Sequence, residues 1–256
     1  LAHFTDDADT FLLGPVDDAV AESGAAVRAM VRAVFASPPP QVQFEVEARR
    51  EGFGQAGDAA WTFHVVEVRA LVGPGEEPRV TPYHATQIYR RTAEGWRVVH
   101  ATWTIPVPNE EYRQMAIDQA VPEGDAIAGR DDPGCENVAA TVTAFRDERI
   151  MPPLAVLDGS LGVGTAPGEV EPFTEEQYAG IVQAREANVV EMVPGPGGVR
   201  VQRVGGFCVT VANLVSDVHP PQGPAFRMPM RQTAVWDAAS GRVVHTQWST
   251  VLPSSE

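Results

Sequence analysis

The stretch GWRVVHATW, residues Gly95–Trp103, has a near copy in GRVVHTQW, residues Gly241–Trp248. Both copies share the core Arg-Val-Val-His-x-x-Trp, which begins at Arg97 and at Arg242. In each case an apolar run and a short polar turn precede the stretch, and this pattern is typical of a β-hairpin. Each half of the chain is therefore predicted to end in the same long hairpin, and the repeat predicts two tandem domains.

The elements around the hairpins follow the same order in both halves. From Thr10, and again from Leu154, the pattern predicts a short strand, an amphipathic helix and four further strands. We expect a first domain at residues 1–108, a linker helix and acidic connector at 109–133, and a second domain at 134–256. A helix predicted over Glu136–Ile150 has no counterpart in the first half, so we also expect a helix upstream of Leu1 in the natural protein. This order indicates the α+β class, with two tandem cone-shaped domains, each a curved antiparallel sheet packed by helices.

Two glycine-rich segments, Gly52–Gly57 and Gly195–Gly198, are interpreted as turns. The second of them does not lie between the strand and the helix of a βαβ unit, so it is not expected to bind nucleotide phosphates.

Composition restricts the partners and the compartment. The chain of 256 residues has a formal net charge of −15, which argues against nucleic-acid binding because phosphates are held by basic patches. The apolar runs are too short to span a membrane and no signal peptide is visible, so a cytoplasmic protein is expected. Two cysteines without a CxxC or Cys/His spacing predict neither a disulfide framework nor a zinc site. No cofactor and no metal are expected.

A family resemblance is carried by FTDDAD at Phe4–Asp9, by GWRVVHATWTIP at Gly95–Pro106 and by the second copy at Gly241–Ser249. With the order of elements, these residues resemble the nuclear transport factor 2-like superfamily, which has a cystatin-like fold. Within it they resemble the SnoaL-like group, whose relatives include ketosteroid isomerase and the association domain of the calmodulin-dependent kinase. The resemblance covers nearly the whole chain as tandem domains. It implies a fold that serves isomerases, cyclases, dehydratases, epoxide hydrolases and binding modules.

The chain also departs from the pattern of this family. Members often have a second histidine in the last strand, where this chain has Thr102 and Gln247. The second copy has Leu157-Asp158-Gly159 in place of the acidic turn. In the strands comparable to those of His64 and His84, the second domain has Cys208 and Arg231 and no histidine. The second domain is therefore expected to be structural, and any chemistry is expected in the first.

Three histidines of the first half are candidates for proton transfer. His100 recurs as His245, so it serves either as an acid–base group in a pocket or as a hydrogen-bonded part of the sheet. His64 and His84 are predicted on neighbouring strands, close to the phenol of Tyr89. An imidazole and a phenol could act there as base and oxyanion donor on a carbonyl compound, or the strands could present an ordinary sheet surface.

The densest carboxylate cluster is Asp6, Asp7 and Asp9. Paired carboxylates can divide acid and base roles, with Asp9 as the candidate here, and a solvated capping turn is the alternative.

The tryptophans of the repeated stretch, Trp103 and Trp248, indicate packing on a sheet face or an interface. Strict strand alternation places Trp103 with Val99 and Ala101, and His100 with Val98. Superfamily members commonly pair through the open sheet face, so we expect an intramolecular pseudo-dimer of the two halves or a homodimer.

The sequence thus predicts a protein whose first domain binds a small apolar organic molecule. The candidate reaction is cofactor-free acid–base catalysis of the isomerase, cyclase or dehydratase type on an apolar carbonyl compound. Its candidate participants are His64, His84, His100, Tyr89 and Asp9. One alternative is a non-catalytic ligand-binding or dimerisation and assembly module, and another is an epoxide hydrolase-like enzyme.

Overall fold

A computed structural model describes residues 3–16, 19–36, 43–71, 77–118, 130–138, 156–187 and 190–253. The chain divides into two compact units, the first made of Leu1–Pro15 and Ala19–Pro106, the second of Val16–Asp18 and Val107–Glu256. The first unit contains β1 (Phe11–Leu13), β2 (Val20–Ala21), α1 (Gly24–Ala36), β3 (Gln43–Ala56), β4 (Ala59–Leu71), β5 (Arg79–Thr92) and β6 (Gly95–Thr104). The second contains α2 (Asn109–Asp118), β7 (Arg130–Asp131), β8 (Val156–Val163), β9 (Val170–Pro172), α3 (Glu175–Ala187), β10 (Val190–Val204), β11 (Phe207–Val218), β12 (Phe226–Asp237) and β13 (Arg242–Thr250).

The first unit is a mixed sheet in the order β2-β1-β6-β5-β4-β3. Strands β3 to β6 are antiparallel neighbours, and β1 joins β6 in parallel. Helix α1 packs on one side of this sheet, where Val27 and the partly buried Met30 cluster with Val98, Ala101 and Trp103. We call this side the helix-side face and the other side the opposite face.

A β-bulge in β6 decides which side chains lie on the helix-side face. His100 pairs with Ile88 but Val98 pairs with Tyr89, so Val99 is an extra residue between them. The bulge turns Val98 towards the side of Ala101 and leaves His100 on the opposite face. The prediction that Val98 shares a face with His100 is therefore wrong, because alternation breaks at the bulge.

The second unit repeats this arrangement in the order β7-β10-β11-β12-β13-β8-β9. Strands β10 to β13 correspond to β3 to β6, and β8 corresponds to β1. The bulge recurs as well, since Val235 pairs with His245 and Trp236 pairs with Val243. The predicted α+β fold with two tandem sheets is confirmed, although each sheet is mixed rather than purely antiparallel.

Helix α2 lies in the second unit and packs on β12. The Tyr112 phenol donates a hydrogen bond to the carbonyl oxygen of Pro229. At the start of the helix, the Thr165 hydroxyl donates to the carboxamide oxygen of Asn109 at 2.6 Å. Of the helix predicted over Glu136–Ile150, residues 136–138 are helical, and the remainder lies outside the described residues.

Cys135 and Cys208 form a disulfide in the second unit. Both residues are buried in the core of that unit. The prediction of no disulfide is wrong because 73 residues separate the two cysteines, and only the folded sheet brings Cys135 beside β11.

Both glycine-rich segments are largely strand, so the two turn predictions are also wrong. Strand β3 continues to Ala56 with a register shift after Arg50, and the hairpin turns at Gly57, whose φ is +65°. Strand β10 runs through residues 195–198, with a register shift between Pro194 and Val199. Glycine inside a strand commonly marks such an irregularity.

Within the described ranges, no helix has the length and apolar character needed to cross a membrane.

Candidate functional site

A row of four residues crosses the helix-side face of the first unit. Arg50 of β3 lies directly opposite His64 of β4, and His64 lies opposite Ala85 of β5. Ala85 in turn lies opposite Trp103 of β6. Directly opposite residues have Cβ atoms about 4.5–5.5 Å apart, so Arg50 and His64 are adjacent side chains.

His64 is half-buried on this face. Burial of the imidazole is the main cause that lowers the pKa of His64 below its ordinary value of 6.5, and the positive charge of Arg50 is the second cause. Both effects favour the neutral imidazole at pH 7. A neutral imidazole has one nitrogen with a free lone pair, so it can accept a proton.

Three aromatic and amide groups lie on the same face of β5: Tyr83 and Gln87 are each two residues from Ala85, and Tyr89 is four residues from it. The Tyr89 phenol donates a hydrogen bond to the carboxamide oxygen of Gln87, and both side chains are half-buried. The ring of Tyr83 meets the ring of Trp103 edge-on, with centroids 6.0 Å apart. Burial raises the pKa of Tyr83, so its phenol stays protonated and can donate a hydrogen bond. We call the following residues the His64 cluster: Arg50, His64, Tyr83, Gln87, Tyr89 and Trp103.

The candidates His84 and His100 lie on the opposite face, and both are buried. The ring of His100 stacks on Phe11 with centroids 5.5 Å apart, and its Nε2 lies 3.0 Å from the Thr102 hydroxyl. His84 meets the ring of Phe63 edge-on, with centroids 5.6 Å apart. The sheet therefore separates these two histidines from His64 and Tyr89.

The acidic turn borders an open cleft of about 570 Å³ in the first unit. Asp6 forms an ion pair with Arg28, and Asp7 forms one with Arg90 at 3.3 Å. Both aspartates line the cleft, whereas Asp9 is half-buried outside the set of lining residues. The structure thus gives Asp6 and Asp7 arginine partners at the cleft and places Asp9 apart from the His64 cluster.

The helix-side face of the second unit is apolar at the equivalent positions. The two bulges align the sheets, so that His64, Gln87 and Tyr89 correspond to Ala212, Ala234 and Trp236. These three residues are buried in the core cluster of the second unit. The first unit therefore has half-buried polar side chains at positions where the second unit has buried apolar side chains.

Three members of the His64 cluster, Arg50, Tyr83 and Gln87, are absent from the candidates proposed from the sequence. A signal for Gln87 was present, because Gln87 and Tyr89 are two residues apart on one strand and so share a face. Arg50 gave no such signal, because it lies opposite His64 only in the register in which β3 and β4 pair.

No group of three or more His, Cys, Asp or Glu side chains that could hold a metal ion occurs in the described part of the chain.

Residues 1–108 match the family model of the SnoaL-like domain. No curated protein matches the chain. The family match confirms the predicted resemblance for the first half, and the equal strand order of the second sheet agrees with a tandem arrangement.

Similar solved structures align with less than half of this chain. A ketosteroid isomerase-like protein from Erwinia carotovora atroseptica is 20% identical over 42% of this chain and 78% of that chain, with a TM-score of 0.34. An NTF2-like protein of unknown function from Pseudomonas putida is 23% identical over 43% and 72%, with a TM-score of 0.35. ActVI-ORFA from Streptomyces coelicolor is 18% identical over 41% and 78%, with a TM-score of 0.35.

Proposed function

We propose, from the premise that residues 1–108 form a SnoaL-like domain, that the first unit binds a small apolar organic molecule at the His64 cluster. The contrast between the two units carries this proposal. His64, Gln87 and Tyr89 are half-buried, whereas their equivalents Ala212, Ala234 and Trp236 are buried in a core. A titratable group whose pKa is shifted by burial and by a specific charged neighbour is a candidate for a functional site.

The chemistry proposed for this site is cofactor-free proton transfer on a carbonyl compound. A neutral His64 would take a proton from the carbon next to the carbonyl group, and the electron pair of the broken C–H bond would move towards the carbonyl oxygen. The protonated phenol of Tyr83 would donate a hydrogen bond to that oxygen. In a substrate with a double bond between the second and third carbons from the carbonyl group, return of the proton at the third carbon would complete an isomerisation.

The second unit has a structural role in this proposal. Trp103 packs against the buried hydrophobic cluster of the first unit, and Trp248 packs against that of the second unit. This packing supports the sheet-packing interpretation of these tryptophans. We still propose that the two halves, or two copies of the chain, pair with each other. This proposal does not require Trp103 or Trp248 at the contact.

We also propose a cellular compartment for the protein. The cytoplasm was expected from the sequence, but the Cys135–Cys208 disulfide weighs against it, because cytosolic thiols are normally kept reduced. We therefore favour an oxidising compartment.

The test uses a bicyclic aromatic ketone, 2-tetralone, as the probe. Isothermal titration calorimetry measures its binding, and proton NMR in D₂O measures deuterium exchange at the carbon next to the carbonyl group. Wild-type protein is expected to bind the ketone and accelerate the exchange. H64A is expected to slow exchange at least 100-fold, because a positioned general base contributes about 10²–10⁴.

The exposed His219 provides the matched control, and H219A is expected to behave as wild type. Binding without exchange in the wild type would favour the non-catalytic ligand-binding module. Absence of binding at millimolar ketone would overturn the proposal.

A further inference from the structure

We propose that Arg50 recognises an anionic group, so that the ligand of the first unit is an apolar molecule that carries a carboxylate or forms an enolate. This inference rests on the proposed function, because it uses the same face of the sheet. It adds the chemical class of the ligand and a residue that selects it.

The first observation is the charge environment of Arg50. Its neighbour Arg49 forms an ion pair with Glu51, and Arg69 forms one with Glu67 at 3.0 Å. Among the described residues, Arg50 has no carboxylate within ion-pair distance, and its guanidinium lies over an aromatic ring. The chain has a net charge of −15, so a guanidinium without a carboxylate partner is unusual in it. This guanidinium is available to bind an anionic ligand.

The second observation is the orientation of the guanidinium. Its central carbon lies 5.5 Å from the centroid of the Phe53 ring. Phe53 pairs with Thr62, two residues before His64, so this ring is on the helix-side face. The Arg50 side chain is exposed, and the cation–π contact keeps its guanidinium over that face, on the side of His64.

The third observation is the apolar surface around this cation. Phe44, Val46 and Phe53 project from the same side of β3, and they are 48%, 63% and 53% exposed. Exposed apolar side chains in one stripe mark a binding surface more often than isolated ones do. One cation within an apolar stripe complements a small apolar anion.

The position of Arg50 also fits the proton transfer. When His64 removes a proton, the electron pair of the C–H bond forms the C=C bond of the enolate, and the π pair of the C=O bond moves onto the oxygen and leaves a negative charge there. A guanidinium one strand away stabilises that charge, and no electrons leave the substrate. An acidic ligand therefore binds at Arg50, and an enolate is stabilised there.

Two probes of equal shape test the inference, 2-naphthoate with a negative charge and neutral 2-naphthamide. Isothermal titration calorimetry at low ionic strength measures both with wild type, R50Q, R50K and R49Q. Wild type is expected to bind the naphthoate about tenfold more tightly than the amide. R50Q is expected to remove this preference without weakening the amide, and R50K is expected to restore part of it.

R49Q is the matched control, because Arg49 is the next residue of the same strand but lies on the opposite face. It is expected to keep the wild-type preference. Equal binding of both probes to wild type, with both weakened by H64A, would overturn the role of Arg50 and leave the proposed function standing. Binding of neither probe at millimolar concentration would overturn both proposals.

Discussion

His100 and His245 stand at the same place in the two sheets, and both are completely buried. The Nδ1–H of His245 donates a hydrogen bond to the carbonyl oxygen of Leu161 at 3.1 Å. Burial lowers the pKa of His245 to about 3, against a smaller opposing effect of this hydrogen bond. The repeated histidine is therefore a neutral, hydrogen-bonded part of the second sheet.

This burial predicts a specific loss of stability in acid. The unfolded chain protonates His245 near pH 6.5, whereas the folded chain does so only near pH 3, so the unfolded state binds more protons between these values. The contribution of His245 is fully present above pH 6.5 and is lost as the pH falls. The slope is about 1.4 kcal/mol per pH unit. H245N keeps a donor for Leu161 and does not titrate, so it is expected to flatten this dependence.

Urea unfolding at pH values from 7.5 to 4.5 measures the effect. H219N serves as the control, because His219 is exposed. Equal pH dependence of wild type and H245N would show that His245 is not held neutral in the folded protein.

At the scale of elements, two glycines that look alike in the sequence have opposite roles. Gly54 of β3 lies opposite Trp61, and a Cβ at Gly54 would overlap the indole nitrogen. Gly180 is exposed in α3, with open space around the position of a Cβ. The first glycine is required by packing, while the second only weakens its helix.

The two glycines predict opposite changes in the free energy of unfolding. G54A is expected to destabilise by about 1–3 kcal/mol, because the buried indole must move. G180A is expected to stabilise by about 0.5–1 kcal/mol, because alanine favours the helix. Chemical denaturation of both variants beside wild type measures the two effects, and a stable G54A would mean that the indole has room to shift.

The long apolar strands are the elements that the sequence predicts best. The sequence predicts strands over Ala59–Leu71 and Phe207–Val218, and β4 and β11 have these bounds, because both largely apolar runs begin and end at clear turns. Strands β3 and β10 are longer than predicted, because glycines inside them mark register shifts rather than turns. The bulges in β6 and β13 were not predictable, since an extra residue in a strand has no composition of its own.

At the scale of the whole molecule, the repeat of Arg97 to Trp103 in Arg242 to Trp248 was enough to predict two equivalent sheets. The candidate site was predicted only in part. His64 and Tyr89 share the helix-side face, but His84 and His100 lie on the opposite face of the same sheet. Choosing between the faces needs the register of neighbouring strands, which is a property of the folded sheet. The disulfide escaped prediction for the same reason.

The disulfide predicts that the second unit loses stability on reduction. A bond that closes a loop of 73 residues is expected to contribute about 4 kcal/mol, mainly by restricting the unfolded chain. Urea unfolding with and without a phosphine reductant measures this contribution, and thiol titration of the denatured protein reports the oxidation state. The double variant C135S/C208S should be insensitive to the reductant. Two free thiols in protein purified without reductant would contradict the disulfide and the proposed oxidising compartment together.

The same bond makes part of the chain a covalent ring that contains β8, β9, α3 and β10. A protease that cuts one peptide bond inside this ring releases no fragment, because the disulfide keeps the two new chain ends in one molecule. A single cut outside the ring releases a separate piece. After a single cut between Cys135 and Cys208, the second unit therefore remains one covalent molecule. Its mass increases only by the water consumed in the cut.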